Sequence, residues 1–259
     1  MNTSHQLSQN EGKLIRGLAR RKNRDSSGLF LAEGPKVVDE LLRYFSCRLL
    51  VVKDDLAANY ENMSYLRMVT DTELSRLSQQ KTPQGVIGVF EKPKQPEASH
   101  LSGCFSLPLS LALDGVQDPG NLGTILRTAD WMGIHTIFAS PDTADCFAPK
   151  VVQATMGALG RINVLYTELP PLLRTFSEQG VSICGTFMHG ENLYKTDIQQ
   201  PAVIVMGNEG NGIRPEVEAV CARRLTIPRF APESESSESL NVAIASAIVL
   251  AEMKRRKFV

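Results

Sequence analysis

This sequence predicts an α/β protein in two parts, a small mixed N-terminal domain followed by a larger domain on a mainly parallel sheet. Its 259 residues exceed a typical single domain of about 150 residues. From Leu109 onward, near-continuous apolar runs alternate with helical patterns, as expected of parallel strands covered on both faces. Between Glu91 and Pro108 the periodicity lapses into Lys-Pro-Lys-Gln-Pro-Glu-Ala-Ser-His. A stiff polar stretch of that kind marks a boundary. The expected organisation is therefore a first domain over residues 1–92, a linker over 93–108 and a second domain over 109–259.

The elements follow in order. A basic amphipathic helix is expected from about Gly12 to Asn23, with Lys13, Arg16, Arg20 and Arg24 on one face. Leu14, Ile15 and Leu18 lie opposite, and Arg21 and Lys22 flank the cationic row. Glu33-Gly34-Pro35 reads as a turn with proline at the first position of a helix whose core stripe is Val37, Val38, Leu41 and Leu42. Arg48–Lys53 is a buried strand, Thr70 to Glu73 has capping-box spacing, and Gly85–Phe90 is the closing strand.

In the second domain the strands expected are Leu109–Leu113, Thr136–Ala139, Ile162–Leu165, Val181–Gly185, Ala202–Met206 and Leu225–Ile227. Helices are expected over Asn121–Met132, Lys150–Leu159, Pro170–Glu178, Pro215–Val220 and from Leu240 onward.

Composition excludes several classes. Lys+Arg 28 against Asp+Glu 28 gives a formal net charge of +0, so bulk charge cannot coat nucleic acid, although a local basic patch can still contact it. The first residues are polar, with no signal-peptide core, and the longest apolar stretch, Leu240 to Ala251, is too short to span a bilayer. Cys47, Cys104, Cys146, Cys184 and Cys221 are scattered without a CxxC pair, and His5, His100, His135 and His189 stand apart. This pattern fits reduced thiols in a cytoplasmic chain with no metal site.

Ligands of parallel sheets bind beyond the carboxyl ends of the strands. Segments rich in Gly, Asn and charge occur at such places: Asp114 to Ala129, Gly207 to Ile213, and Ser239 to Ala245 after Ile227-Pro228. Taken singly, each has a plain structural reading as a capped turn or a loop needing positive φ. The phosphate-binding GxGxxG and GxxxxGK[ST] patterns are missing, as are HExxH and GxSxG.

Together, in this order, the segments resemble the motifs of the SpoU/TrmH family of RNA ribose 2′-O-methyltransferases, part of the SPOUT superfamily. Asn121 and Arg127 carry the first motif, Gly207-Asn208-Glu209-Gly210 the second, and Ser239-Leu240-Asn241-Val242 the third. Arg24, the run Gly28–Gly34 and Thr82–Gly85 are similar to the ribosomal-protein-like RNA-binding domain found in many members.

The resemblance implies a deep trefoil knot in the second domain, S-adenosylmethionine as methyl donor, and a homodimer in which two subunits build each site. It places the cofactor against Thr186, Met206, Gly207, Asn208, Gly210, Ile227, Ser239 and Leu240, and requires tight backbone passage at Gly207, Gly210 and Gly212. It gives catalytic roles to Arg127, Asn121, Glu209, Ser239 and Asn241. Arginine side chains keep their proton beyond about pH 12, so Arg127 is expected to grip phosphate and stabilise a developing alkoxide rather than act as a base. Asn121 and Asn241 orient ribose and loop, and Glu209 ties down the cofactor loop.

The dimer would use an apolar stripe of Val242, Ile244, Ala245, Ile248 and Val249. Lys13, Arg16, Arg20, Arg21, Lys22 and Arg24 are the expected phosphate contacts, whereas Lys254–Lys257 caps the final helix. The acidic loop from Phe230 to Glu238 departs from the shorter family loop. The substrate expected is structured RNA, with ribosomal RNA favoured; the alternatives are a transfer RNA 2′-O-methyltransferase and a catalytically silent RNA-binding ribosome-assembly protein.

Overall fold

A computed structural model describes residues 6–60, 63–94, 104, 106–231 and 239–256. The chain forms two compact units, Met1–Lys94 with Asp145–Gly160, and Gln95–Ala144 with Arg161–Val259.

The first unit opens with α1 (Gln9–Gly17), started by a capping box in which the Ser8 hydroxyl accepts from the Glu11 N–H at 3.2 Å and the Glu11 carboxylate accepts from the Ser8 N–H at 2.8 Å. The single basic helix expected over Gly12–Asn23 is in fact two, because α2 (Arg21–Ser27) begins after an extended Arg20. Side chains of the second helix satisfy the freed carbonyls of the first. Asn23 Nδ2 donates to Gly17 O at 2.9 Å, and Arg24 Nη1 donates to Leu18 O at 2.9 Å and Ala19 O at 3.0 Å.

Gly28, left-handed at φ 66°, ends α2 and releases strand β1 (Leu29–Glu33). Then come α3 (Pro35–Leu41), β2 (Cys47–Lys53), β3 (Leu66–Val69), α4 (Asp71–Leu77) and β4 (Val86–Glu91). The strands lie in the order β1-β4-β2-β3, with β2 and β3 parallel and the other pairs antiparallel. Ile15 and Leu18 pack with Leu31, Val51, Leu74 and Ile87 in its core. Strands β1 and β3 are additions to the sequence reading.

The second unit holds β5 (Leu109–Leu113), α5 (Pro119–Trp131), β6 (Thr136–Ala139), β7 (Asn163–Tyr166), α7 (Leu169–Glu178), β8 (Ser182–Asn192), β9 (Ala202–Met206), α8 (Pro215–Glu218), β10 (Arg223–Thr226) and α9 (Val242–Arg255). Its six strands run in the order β10-β8-β9-β5-β6-β7, and every neighbouring pair is parallel. Strands β5 and β9 are buried along their whole length, as their unbroken apolar sequences require. Phe138 and Phe176 meet edge to face at 5.2 Å within the core. From β5 the chain builds outward through β6 and β7, then returns to the other side with β8 and β9. The β5/β9 boundary is therefore the topological switch point, and ligands of open parallel sheets bind beyond the carboxyl ends of the strands at such a point.

Between β6 and β7 the chain makes an excursion, Asp145–Gly160, that clusters with the first unit although the sequence reading assigned it to the second domain. It carries α6 (Pro149–Thr155), which packs on β1. Phe147 lies against Phe30 with ring centroids 4.8 Å apart. Asp145 binds Arg24 Nη2 at 2.6 Å and Nε at 3.0 Å; the Arg24 side chain is buried and that of Asp145 is partly buried. A strand–helix–strand rhythm cannot reveal such an excursion, because the helix keeps its amphipathic pattern whichever core it covers.

Candidate active site

The Gly-rich segments converge at the carboxyl ends of β5 and β9. After β9, Gly207 to Gly212 forms a closed loop in which Asn208 and Gly212 exchange backbone hydrogen bonds of 2.9 and 3.0 Å. The Asn208 side chain holds this loop from within: its Oδ1 accepts from Gly210 N at 2.9 Å and Asn211 N at 3.0 Å, while Nδ2 donates to Gly115 O at 2.6 Å. A Cβ at Gly207 would fall 2.3 Å from the Gly212 carbonyl carbon and 2.4 Å from Ile213 N, so only glycine allows that passage. Gly212 is the other side of that passage and also supplies a φ of +72°. The tight approach expected at Gly210 does not occur, since a Cβ there would meet only the Asn208 amide, at 3.6 Å.

Asp118 caps α5 by accepting from Asn121 N at 2.8 Å. The Asn121 side chain then bridges two other segments, with Nδ2 donating to Glu209 Oε1 at 2.9 Å and Oδ1 accepting from Asn241 Nδ2 at 2.9 Å. Asn241 in turn caps α9, its Oδ1 accepting from Ala243 N at 2.9 Å and Ile244 N at 3.3 Å. Glu209 also accepts from the N–H groups of Gln117 and Asp118, each at 3.3 Å. Burial raises its carboxyl pKa, but hydrogen bonds from Asn121 and from these backbone groups outweigh that and leave it below the usual value. Glu209, Asn121 and Asn241 thus form one hydrogen-bonded chain across three segments.

Arg127 projects from α5 into solvent with no ion pair to Asp130, whose carboxylate is held by Arg161 at 2.8 to 3.1 Å. Thr186 donates to Val205 O at 3.0 Å, Met206 is buried, Ile227 is half-buried, and Ser239 and Leu240 are exposed. The α9 stripe divides: Val242 and Val249 are buried within the chain, Ala245 and Ile248 are half-buried, and Ile244 is 52% exposed. Among the described residues no group of His, Cys, Asp and Glu could hold a metal ion, and no helix is long and apolar enough to cross a membrane.

In the first unit, Lys13, Arg16, Arg20, Arg21 and Lys22 are exposed. Arg24 does not share that surface. It is only 3% exposed, because its guanidinium is consumed by Asp145 and by the carbonyls at the end of α1. Arg255 and Arg256 are held by Glu252, and Arg256 also donates to the carbonyls of Leu193 and Thr196. The acidic stretch Pro232–Glu238, Lys257, His5 and His100 lie outside the described residues.

Residues 108–251 match the model of the SpoU rRNA methylase family. The chain belongs to the SpoU family. A separate stretch, residues 10–88, matches the MRM3-like substrate binding domain. The 23S rRNA (guanosine(2553)-2′-O)-methyltransferase RlmP of Bacillus subtilis is 30% identical over 238 residues, covering 90% of this chain and 92% of the relative. A Porphyromonas gingivalis protein assigned to the TrmH family of RNA methyltransferases superposes with a TM-score of 0.85 at 42% identity, covering 96% of this chain and 99% of the other. The AdoMet-bound rRNA methyltransferase of Sinorhizobium meliloti superposes at 0.83 with 32% identity, covering 96% of each chain. This SpoU member carries features that its motifs alone did not disclose, above all the buried Asp114 behind the loop and Arg214 beyond it. The only hint in the sequence was that Asp114 opens one segment rich in Gly and Asn and Arg214 directly follows another.

Proposed function

We propose that this chain methylates a ribose 2′-hydroxyl of ribosomal RNA with S-adenosylmethionine as donor. The observation that carries the reading is the Glu209–Asn121–Asn241 hydrogen-bonded chain, with Arg127, unpaired among the described residues, on the same helix as Asn121. The relative named for guanosine methylation of 23S rRNA supports large-subunit rRNA as the substrate class.

The residues present fit the donor. Thr186, Met206, Gly207, Asn208, Gly210, Ile227, Ser239 and Leu240 offer main chain, one hydroxyl pair, one amide and apolar side chains, a set suited to adenine and to the alkyl groups around a sulfonium. The one carboxylate of the loop, Glu209, is already committed to three donors of the neighbouring segment. Leu240, 51% exposed, and half-buried Ile227 are the apolar surfaces that would flank the base. When bound, the cofactor supplies an electrophilic methyl carbon.

This chain's own residues do the rest. Arg127 grips the phosphate beside the target ribose and stabilises negative charge growing on the 2′-oxygen as its proton passes to solvent water. Asn121 and Asn241 hold each other's amides fixed and so orient the ribose and the loop. Ser239 offers a hydroxyl at the same mouth. Lys13, Arg16, Arg20, Arg21 and Lys22 contact RNA phosphates without reading sequence.

Membership of the SpoU family and the likeness to a TrmH-family protein support a trefoil knot in the second unit. A second copy of the chain completes each site. Exposed Trp131 (87%) at the end of α5 and Ile244 (52%) on α9 support that homodimer, since large apolar side chains on adjoining helices seldom face water alone. The enzyme acts in the cytoplasm, where its RNA is assembled.

The test is to incubate the protein with labelled S-adenosylmethionine and total RNA from a strain lacking its gene, then map ribose methylation. A single 2′-O-methylated nucleotide in large-subunit rRNA is expected. Label on transfer RNA alone, or none in protein that binds RNA, would overturn the reading.

A further inference from the structure

The structure assigns a positioning role to the Asp114–Arg214 pair: it is a latch that holds the Gly207–Gly212 loop in the shape that receives the cofactor, an inference that rests on the function proposed above. Asp114 stands directly after β5 with its side chain fully buried. A carboxylate so enclosed persists only when its oxygens are paired. Among the described residues Arg214 does this, giving its backbone N–H to Oδ2 at 2.8 Å and its Nε and Nη2 to Oδ1 at 2.8 and 2.5 Å.

The adjoining residue receives the other arm of the loop, where Asn208 Nδ2 donates to Gly115 O at 2.6 Å. Both arms of the loop therefore end on the Asp114-Gly115 corner. Behind that corner lies a second buried polar layer. Gly115 N donates to Ser140 Oγ at 2.8 Å, Ser140 meets Thr143 at 3.0 Å, and Thr143 donates to Leu113 O at 3.1 Å, with both hydroxyl residues fully buried. Gly115 itself sits at φ +72°, where a Cβ would come within 3.1 Å of Asp142. The corner is thus braced against the ends of β5 and β6 and cannot follow the loop if the loop moves. A latch between a braced corner and a Gly-rich loop sets the loop in advance, so binding need not order it.

Titration calorimetry with S-adenosylmethionine, beside hydrogen exchange of Gly207–Gly212 in the ligand-free protein, tests the idea. Arg214→Lys keeps a cation against Asp114 but loses the fork. The double variant Asp114→Asn with Arg214→Met removes both charges together and leaves an amide oxygen to accept the residue-214 N–H, so it serves where the lysine variant is unstable. Each is expected to weaken cofactor binding by about tenfold or more through lost pre-organisation, to speed exchange in the loop, and to leave RNA binding unchanged. Wild-type affinity and exchange in both folded variants would overturn the latch alone. A wild-type protein that binds no S-adenosylmethionine would overturn the proposed function and the latch with it.

Discussion

Asn121 and Asn241 stand 120 positions apart in the chain, yet the amide of one donates to the amide of the other at 2.9 Å. Each also belongs to a helix start, Asn241 as the cap of α9 and Asn121 through its N–H to the cap Asp118. Removing Asn241 therefore has two separable effects. Asn241→Ala is expected to lose about 0.5–2 kcal/mol of stability through the cap. Asn241→Asp keeps a capping oxygen but cannot donate to Asn121. It should hold the melting temperature while methyl transfer falls about a hundredfold, as expected for a misplaced catalytic group. Stability assays and methyl-transfer rates on the pair check this, and equal activity of Asn241→Asp and wild type would refute it.

Arg127 is the exposed cation of α5, and Arg161 rather than Arg127 neutralises Asp130. Its loss should therefore cost chemistry and not folding. Arg127→Ala is expected to bind S-adenosylmethionine and melt like wild type, with kcat lower by about a hundred- to a thousandfold, the usual loss for one charge-stabilising donor. Full activity in this variant would remove the role given to the arginine.

Glu252 gives α9 a specific acid sensitivity. Its carboxyl is held at about 2 against an ordinary 4.5, chiefly by the hydrogen bond from Arg255. Burial opposes this, and the hydrogen bond from Arg256 and both charges add to it. A depressed carboxyl stabilises the fold fully above its ordinary value, and that share is lost as pH falls from 4.5 toward 2. Glu209, also lowered, loses its share in the same direction below 4.5. Thermal melts of wild type between pH 5 and pH 2.5 should thus drop more steeply than those of Glu252→Gln. Parallel curves would show that this carboxylate contributes nothing to acid stability.

How much of this was legible in the sequence follows from range. Local rules placed the Thr70 capping box, Pro35 at a helix start and the apolar strands β5 and β9, because each depends on a few adjacent residues. The motif residues were legible only as a joint pattern; nothing at Asn121 itself announces Glu209 and Asn241 as its partners. Short strands β1 and β3 escaped because Leu29–Glu33 follows a glycine-stopped helix and Leu66–Val69 is brief and mixed in polarity. Asp114 escaped because charge at a strand end reads as solvent-facing until burial is known, and Arg214 because nothing at a helix start names a partner a hundred positions away.

Arg24 and its exposed neighbours should part company in experiment. On a single continuous helix all these cations would share a face. With the helix broken after Gly17, Arg24 instead turns inward to Asp145, which arrives from a segment over a hundred positions away. Arg24→Ala takes the cation from a partly buried carboxylate that then keeps the Phe147 N–H as a donor, and it frees the carbonyls of Leu18 and Ala19. It should therefore cost about 2–4 kcal/mol of stability, below the range for a fully buried pair. RNA affinity of the protein that remains folded should be little changed. Arg16→Gln combined with Arg20→Gln should do the reverse, melting like wild type while the salt dependence of RNA binding flattens by about 0.7–0.9 for each phosphate no longer neutralised. Melting curves and filter binding across a salt series read both arms. The assignment of the two groups fails if Arg24→Ala melts normally but binds RNA weakly, because a buried guanidinium spent on Asp145 has nothing left to offer a phosphate.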